Sequence, residues 1–89
     1  MFLEINKANY IADYKIELTF NTGEIYLVDL VNELNGTVFI PLRDMAFFKD
    51  FSIAFNTIEW KNGADFAPEY LYKLAKFQNQ MTSEPEVEY

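Results

Sequence analysis

The reactive side chains of this chain are almost entirely carboxylates. Its 89 residues include 14 Asp and Glu but no histidine and no cysteine. A Ser-His-Asp triad, a Cys-His pair or a common zinc site requires an imidazole or a thiolate, so these are excluded. Hydrolysis by two carboxylates would need acids facing each other across a cleft, for which so small a domain has little room. We predict that the protein is not an enzyme, although the nearest carboxylate candidates are Asp44, Asp50, Asp65 and Glu69.

Cofactor and metal sites are not predicted either. Gly23, Gly36 and Gly63 are isolated and each lies in a predicted turn, so no glycine-rich phosphate loop can be formed. The spacing of the acids matches no calcium-binding loop, and charges scattered over a surface are usually only solvated. We therefore expect no cofactor and no metal.

Composition narrows the class of protein further. A hydrophobic fraction of 51% with 18% aromatic residues is typical of a folded domain. The formal charge of −7 disfavours direct binding to nucleic acid, because phosphates would be repelled. The acidic N-terminus does not resemble a signal peptide, and no apolar run reaches the ~20 residues that span a bilayer. Together with the lack of cysteine, this predicts a cytoplasmic protein that does not bind membranes.

The first part of the chain predicts a three-stranded meander. Over residues 14–20 apolar and polar side chains alternate, which places Tyr14, Ile16, Leu18 and Phe20 on one face of a strand. A turn at Gly23 leads into a second strand over residues 25–30. Residues 3–11 are also strand-like and could pair beside them.

The second part predicts two short strands between two helices. Asp44 is placed to cap a short helix over residues 45–51, and strands follow at 52–55 and 57–60. Pro68 begins an amphipathic C-terminal helix whose apolar stripe consists of Tyr70, Leu71, Leu74, Phe77 and Met81. The predicted fold class is α+β, with one domain over residues 1–81 and an acidic flexible tail over residues 82–89.

Five residues form the candidate interaction surface. Trp60 could anchor a partner, but a core position at the end of a strand is the more common role for it. Asn62 and Asp65 belong to the following turn, where Asp65 is expected to bond back to backbone amides. Phe77 and Met81 end the helical stripe, and apolar surface exposed there would mark a contact with a protein partner or a second copy.

Three segments together resemble a known family, the bacterial domain-of-unknown-function family twenty-four forty-two. These segments are the strand and Asn-x-Gly-Glu turn over residues 14–24, the run Pro41-Leu42-Arg43-Asp44 before Phe47-Phe48, and residues 58–72 with Trp60, Asn62 to Asp65, Pro68-Glu69 and Leu71-Tyr72. One departure is Lys61, where the family commonly has proline.

The resemblance implies a compact α+β domain with an antiparallel sheet and two helices. It also implies a setting, since some relatives are fused to a helix-turn-helix domain and others are encoded beside a small partner in toxin–antitoxin-like arrangements.

Three functions remain open. The first is a protein-interaction module, with an antitoxin-like role as its finer form, whose acidic surface and exposed aromatic residues bind a small basic protein. The second is an inhibitor or nucleic-acid mimic whose carboxylates imitate phosphates. The third is a small-ligand sensor, which would require a roomy apolar pocket with convergent polar groups.

Overall fold

A three-stranded antiparallel sheet forms the first half of the protein. The computed structural model describes residues 2–83, with side chains through residue 79. Strands β1 (Ile5–Ala12), β2 (Lys15–Phe20) and β3 (Ile25–Asp29) lie in the order β1-β2-β3. The predicted meander is therefore confirmed.

The central strand β2 shows why these residues form a sheet. Ile16, Leu18 and Phe20 are fully buried on one face, whereas the alternating Lys15 and Glu17 are only half-buried on the other. Ile16 lies opposite Val28 of β3, which is also buried. The two-residue period of the sequence thus directs one face of the sheet into the core.

The second half contains a short helix and a hairpin. Helix α1 (Met45–Phe48) begins at Asp44, whose carboxylate accepts a 3.0 Å hydrogen bond from the Phe47 amide, as predicted. Strands β4 (Phe51–Ala54) and β5 (Thr57–Trp60) then pair as an antiparallel hairpin.

The predicted helix over residues 45–51 was too long. It ends at Phe48, because the Asp50 amide bonds to the Phe47 carbonyl and the chain leaves the helix. Phe51 instead opens β4 opposite Trp60, with the two ring centroids 6.1 Å apart. Pairing with Trp60 therefore overrides the helical spacing of Phe47, Phe48 and Phe51.

Two short 3-10 helices, Val31–Glu33 and Ile40–Arg43, connect the meander to α1. Leu42, within the second of these helices, is fully buried. Arg43 holds the connection together, since its guanidinium donates to the Leu34 carbonyl at 2.8 Å and to the Asn35 side chain at 3.2 Å. The sequence had predicted only a turn at Gly36 in this region.

The C-terminal helix α2 (Pro68–Ser83) packs beside β3 and buries Leu71 and Ala75. The Gln78 side-chain amide bonds to both the N–H and the carbonyl of Asp29, at 2.8 and 2.9 Å. These are the backbone groups that a neighbouring strand would otherwise pair with. The helix includes the first two residues of the predicted tail, and residues 84–89 lie outside the described part of the chain. No helix within residues 2–83 is long and apolar enough to cross a membrane.

Glu24 links α2 to the β2–β3 turn. Its carboxylate accepts hydrogen bonds of 2.7 Å from the hydroxyls of Tyr26, Tyr72 and Thr22. The bond from Tyr26 is the largest reason why the pKa of Glu24 falls to about 2, and the same bond raises the pKa of Tyr26 to about 12. The rings of Phe20, Tyr26 and Tyr72 meet edge to face around this group.

The Glu24 cluster makes folding stability depend on pH at both extremes. The folded state favours the Glu24 carboxylate, so its contribution is present above pH 4.5 and is lost as the pH falls toward about 2. It also favours the neutral Tyr26 phenol, whose contribution is present below pH 10 and is lost as the pH rises toward about 12.

Glu24→Gln should lower the melting temperature at pH 7 and flatten its fall between pH 4.5 and 2, measured by circular dichroism. Glu17→Gln removes a carboxyl on the same sheet and is the control. Equal slopes for wild type and Glu24→Gln would contradict this account.

Candidate interaction surface

Trp60 lies in the core and is unavailable as a surface anchor, because only 2% of it is exposed. Its indole Nε1 donates a 2.8 Å hydrogen bond to the carbonyl of Phe48 at the end of α1. Its ring also contacts Phe48, Phe51 and Phe66, with centroids 5.7 to 6.1 Å apart. Of the two roles weighed for this residue, the structure shows the core position.

The turn after Trp60 is organised by Asn62. Its Oδ1 accepts from the Ala64 amide at 3.1 Å, and its Nδ2 donates to the Val38 carbonyl at 2.8 Å. Gly63, with φ of +87°, closes the turn by donating to the Trp60 carbonyl. The hydrogen bond to a backbone amide of the turn that was expected from Asp65 is therefore made by Asn62. Asp65 is exposed, and its backbone forms an isolated β-bridge with Glu59.

Three aromatic rings form a stacked column next to this turn. The centroids of Phe39 and Phe66 are 4.7 Å apart with planes inclined by 16°, and those of Phe66 and Tyr70 are 6.0 Å apart at 13°. The column runs from the connection before α1 to the first turn of α2. Because Asn62 holds Val38 beside Phe39, the turn predicted as a candidate site fixes one end of the column.

Exposed apolar side chains extend the column in both directions. Tyr70 is 45% exposed, and Phe77, two helical turns later on the same face of α2, is 58% exposed. Val38 and Ile40 flank Phe39 in the chain and are also exposed. We call this region the aromatic-acidic surface and define it by Glu33, Val38, Phe39, Ile40, Asn62, Asp65, Phe66, Glu69, Tyr70 and Phe77.

Carboxylates border the apolar part of this surface. The Tyr70 hydroxyl donates to Glu33, and this bond is the main cause of a raised pKa of Tyr70, so the phenol stays neutral beside a carboxylate. Asp65 directly precedes Phe66 in the chain, Glu69 directly precedes Tyr70, and both acids are exposed. The surface thus contains three carboxylates, and Lys73, between Tyr70 and Phe77 on α2, places one ammonium group next to them.

Three of the five predicted surface residues lie in the region defined above. Asn62, Asp65 and Phe77 belong to the aromatic-acidic surface, Trp60 lies beneath it, and the side chain of Met81 is outside the described residues. Sequence reasoning missed Val38, Phe39 and Ile40. Their only signal was an apolar run between a glycine and a proline. Such a run does not indicate which residues distant in sequence it contacts.

A groove of about 510 Å³ lies between β3 and α2. Leu27 and Val31 supply apolar walls, and Lys15 and Asp29 supply opposite charges. The remaining lining residues are polar: Asn32, Glu33, Gln78 and Asn79. Glu33 therefore borders both the groove and the aromatic-acidic surface.

Comparison with known proteins identifies the family. A model of a family described as "Protein of unknown function (DUF2442)" matches residues 5–77. The chain belongs to DUF2442. The resemblance of the three sequence segments is thereby confirmed, and so is the α+β fold that it implied.

The segments that carry the DUF2442 resemblance have structural roles. Asn21 binds the first residues of the chain, accepting from the Glu4 amide at 3.0 Å and donating to the Phe2 carbonyl at 2.8 Å. Arg43 and Asp44 organise the connection to α1, as described above. At Lys61, the departure from the family pattern, the turn still closes through the bond between the Gly63 amide and the Trp60 carbonyl.

One solved structure similar to this chain is that of a candidate DNA-binding protein from Nitrosomonas europaea ATCC 19718. The two are 27% identical with a TM-score of 0.78, over 89% of this chain and 52% of that protein. The chain therefore spans about half the length of this relative. No curated protein matches it significantly.

Trp60→Phe should lower the free energy of unfolding by about 2 to 4 kcal/mol, because the Phe48 carbonyl loses its donor and the smaller ring leaves a void. Tyr70→Phe also removes one hydrogen-bond donor, but at the exposed end of the column, and should lower the free energy of unfolding by about 1 kcal/mol or less. Urea unfolding followed by far-ultraviolet circular dichroism measures both. Similar values for the two variants would show that Trp60 is not a core residue in solution.

Proposed function

We propose that this protein is a non-catalytic interaction module that binds a small basic protein through the aromatic-acidic surface. The observation that carries the proposal is the row of exposed apolar side chains along a rigid stack of aromatic rings, bordered by carboxylates. Aromatic residues dominate binding energy at protein interfaces when a partner excludes water from them.

The stacking of Phe39, Phe66 and Tyr70 supports this role. Rings already packed against one another lose little conformational freedom on binding, so less of the interaction energy is spent on ordering them. Phe77 presents a further apolar side chain from the same face of α2. The column therefore holds the half-exposed ring of Tyr70 in a fixed position, with the buried ring of Phe66 packed behind it.

The charge of the chain supports a basic partner. The formal charge is −7 for the whole chain, and Glu33, Asp65 and Glu69 border the apolar residues. Complementary charge accelerates association and disfavours acidic competitors, including nucleic acids. In its finer form the proposal is an antitoxin-like role, in which the small basic partner is neutralised by the complex.

The relative from Nitrosomonas europaea bears on the expected partners. That protein is described as a candidate DNA-binding protein, and this chain aligns with about half of it. We assign any contact with DNA in such an assembly to a separate segment or partner, because a body carrying net negative charge repels phosphates. The same reasoning favours a module that recruits a DNA-binding or otherwise basic protein.

The proposal is tested by purifying the tagged chain from its native host, identifying any stoichiometric partner by mass spectrometry and reconstituting the complex from purified components. The identified partner should be basic, and its affinity by calorimetry should fall as salt is raised from about 50 to about 500 mM, because the charges are screened.

Substitutions locate the binding surface. The double variant Ile40→Ser/Phe77→Ser should weaken binding by about 30-fold or more, the loss typical of removing an interface hot spot. Ile11→Ser removes an equally exposed apolar side chain from β1 and should bind as wild type does. An acidic partner, or unchanged affinity of the double variant, would contradict the proposal.

A small-ligand sensor is a second candidate, favoured by the groove between β3 and α2. Its volume of about 510 Å³ falls within the range of small-molecule sites. Lys15 and Asp29 could hold opposite charges of a ligand lying against Leu27 and Val31. A ligand-induced rise in melting temperature that Leu27→Asp abolishes would favour this function over the first.

A further inference from the structure

Three chain segments meet at the end of the molecule formed by the β4–β5 turn. The Ile5 amide of β1 donates to the Asn56 carbonyl of that turn at 2.8 Å. Asn21, at the β2–β3 turn, binds Glu4 and Phe2 through its side chain, and its amide donates to the Glu4 carbonyl at 2.8 Å. The N-terminal segment is therefore clamped between two turns.

Phe55 occupies an unfavourable position in the β4–β5 turn. Its φ is +52° and that of Asn56 is +70°, as a two-residue turn of type I′ requires. Asn and Gly suit such a turn, whereas a bulky side chain with positive φ is an outlier. Phe55 is also 86% exposed, so its ring gains no burial that would offset the backbone strain.

Other exposed apolar residues lie at the same end. Phe2 is 85% exposed although Asn21 holds its carbonyl, and Ile25 is exposed directly after the β2–β3 turn. The same two segments carry the side chain of Glu4 and the carboxylate of Glu24, which is negatively charged and hydrogen-bonded to three hydroxyls. We name Phe2, Glu4, Glu24, Ile25 and Phe55 the hairpin-end surface.

We propose that the hairpin-end surface is a second contact for the basic partner. The Phe55 ring inserts into an apolar pocket of that partner. The inference rests on the proposed function for the nature of the partner. It is carried by Phe55 itself, since strained backbone with an exposed aromatic ring costs the free protein stability and is typical of functional positions. The carboxylates of Glu4 and Glu24 favour basic residues around that pocket.

The first test separates binding from stability. Phe55→Asn places a residue suited to positive φ in the turn, so its melting temperature should rise by a few degrees. Its affinity for the reconstituted partner should fall by about 30-fold. A lower melting temperature would show that Phe55 supports the fold instead, and an unchanged affinity would overturn the inference.

The second test works before the partner has been identified. Phe55 is replaced by the photocrosslinker p-benzoylphenylalanine in the full chain, expressed in the native host, with the same replacement at Phe77 and, as a control, at Ile11. Crosslinked products are identified by mass spectrometry. One basic protein joined at both position 55 and position 77, but not at position 11, is the expected result.

The remaining outcomes distinguish the two proposals. A crosslink at position 77 without one at position 55 overturns the hairpin-end contact and leaves the proposed function standing. A crosslink at position 55 to a second copy of this chain replaces the basic partner with self-association and overturns the inference. No crosslink at either position contradicts both proposals.

Discussion

A tyrosine buries an apolar ring while keeping a hydroxyl that needs an acceptor, and this pair of requirements holds the molecule together. Tyr26 and Tyr72 both donate to Glu24, which joins the β2–β3 hairpin to the C-terminal helix. Tyr14 donates to the Arg43 carbonyl and so joins the first sheet to the connection before α1. Tyr70 donates to Glu33 and ties α2 to the first 3-10 helix. A chain without disulfides thus obtains long-range links from phenol groups, and the rings of Tyr14, Tyr26 and Tyr72 also pack against the core.

Residues of the family signature make links of the same kind. Asn21 and Asn62 use both ends of their amides to hold segments that are distant in sequence. Each segment of the signature thus positions a turn or a connection, which is sufficient reason for these residue types to stand where they do. The surfaces that could meet a partner lie on side chains such as Phe77 and Phe55, whose exposure the scaffold imposes. DUF2442 membership accordingly specifies a fold, and function has to be argued from particular surface side chains.

Local patterns predicted much of the fold because the relevant physics is local. The alternation along β2 and the Asp44 cap need only neighbouring residues, and both were confirmed. The helix end at Phe48 was missed because Phe51 pairs with Trp60, a contact that helical spacing cannot reveal. The aromatic column was missed for the same reason, since Phe39 meets Phe66 across 27 positions of sequence. The candidate surface was therefore predicted only where it coincided with a turn or a helical stripe.

Charge and exposed aromatic residues act at different distances, and the combination matters more than either feature alone. Carboxylates on a surface influence the approach of a partner over about a Debye length, ~8 Å at physiological ionic strength, but contribute little affinity while solvated. Exposed rings contribute affinity only once water has been excluded from them. The bond from Tyr70 to Glu33 joins the two functions, because it keeps a carboxylate beside a ring of the column. In the proposed function, such a surface favours partners that carry both positive charge and an apolar pocket over polyanions and purely polar proteins.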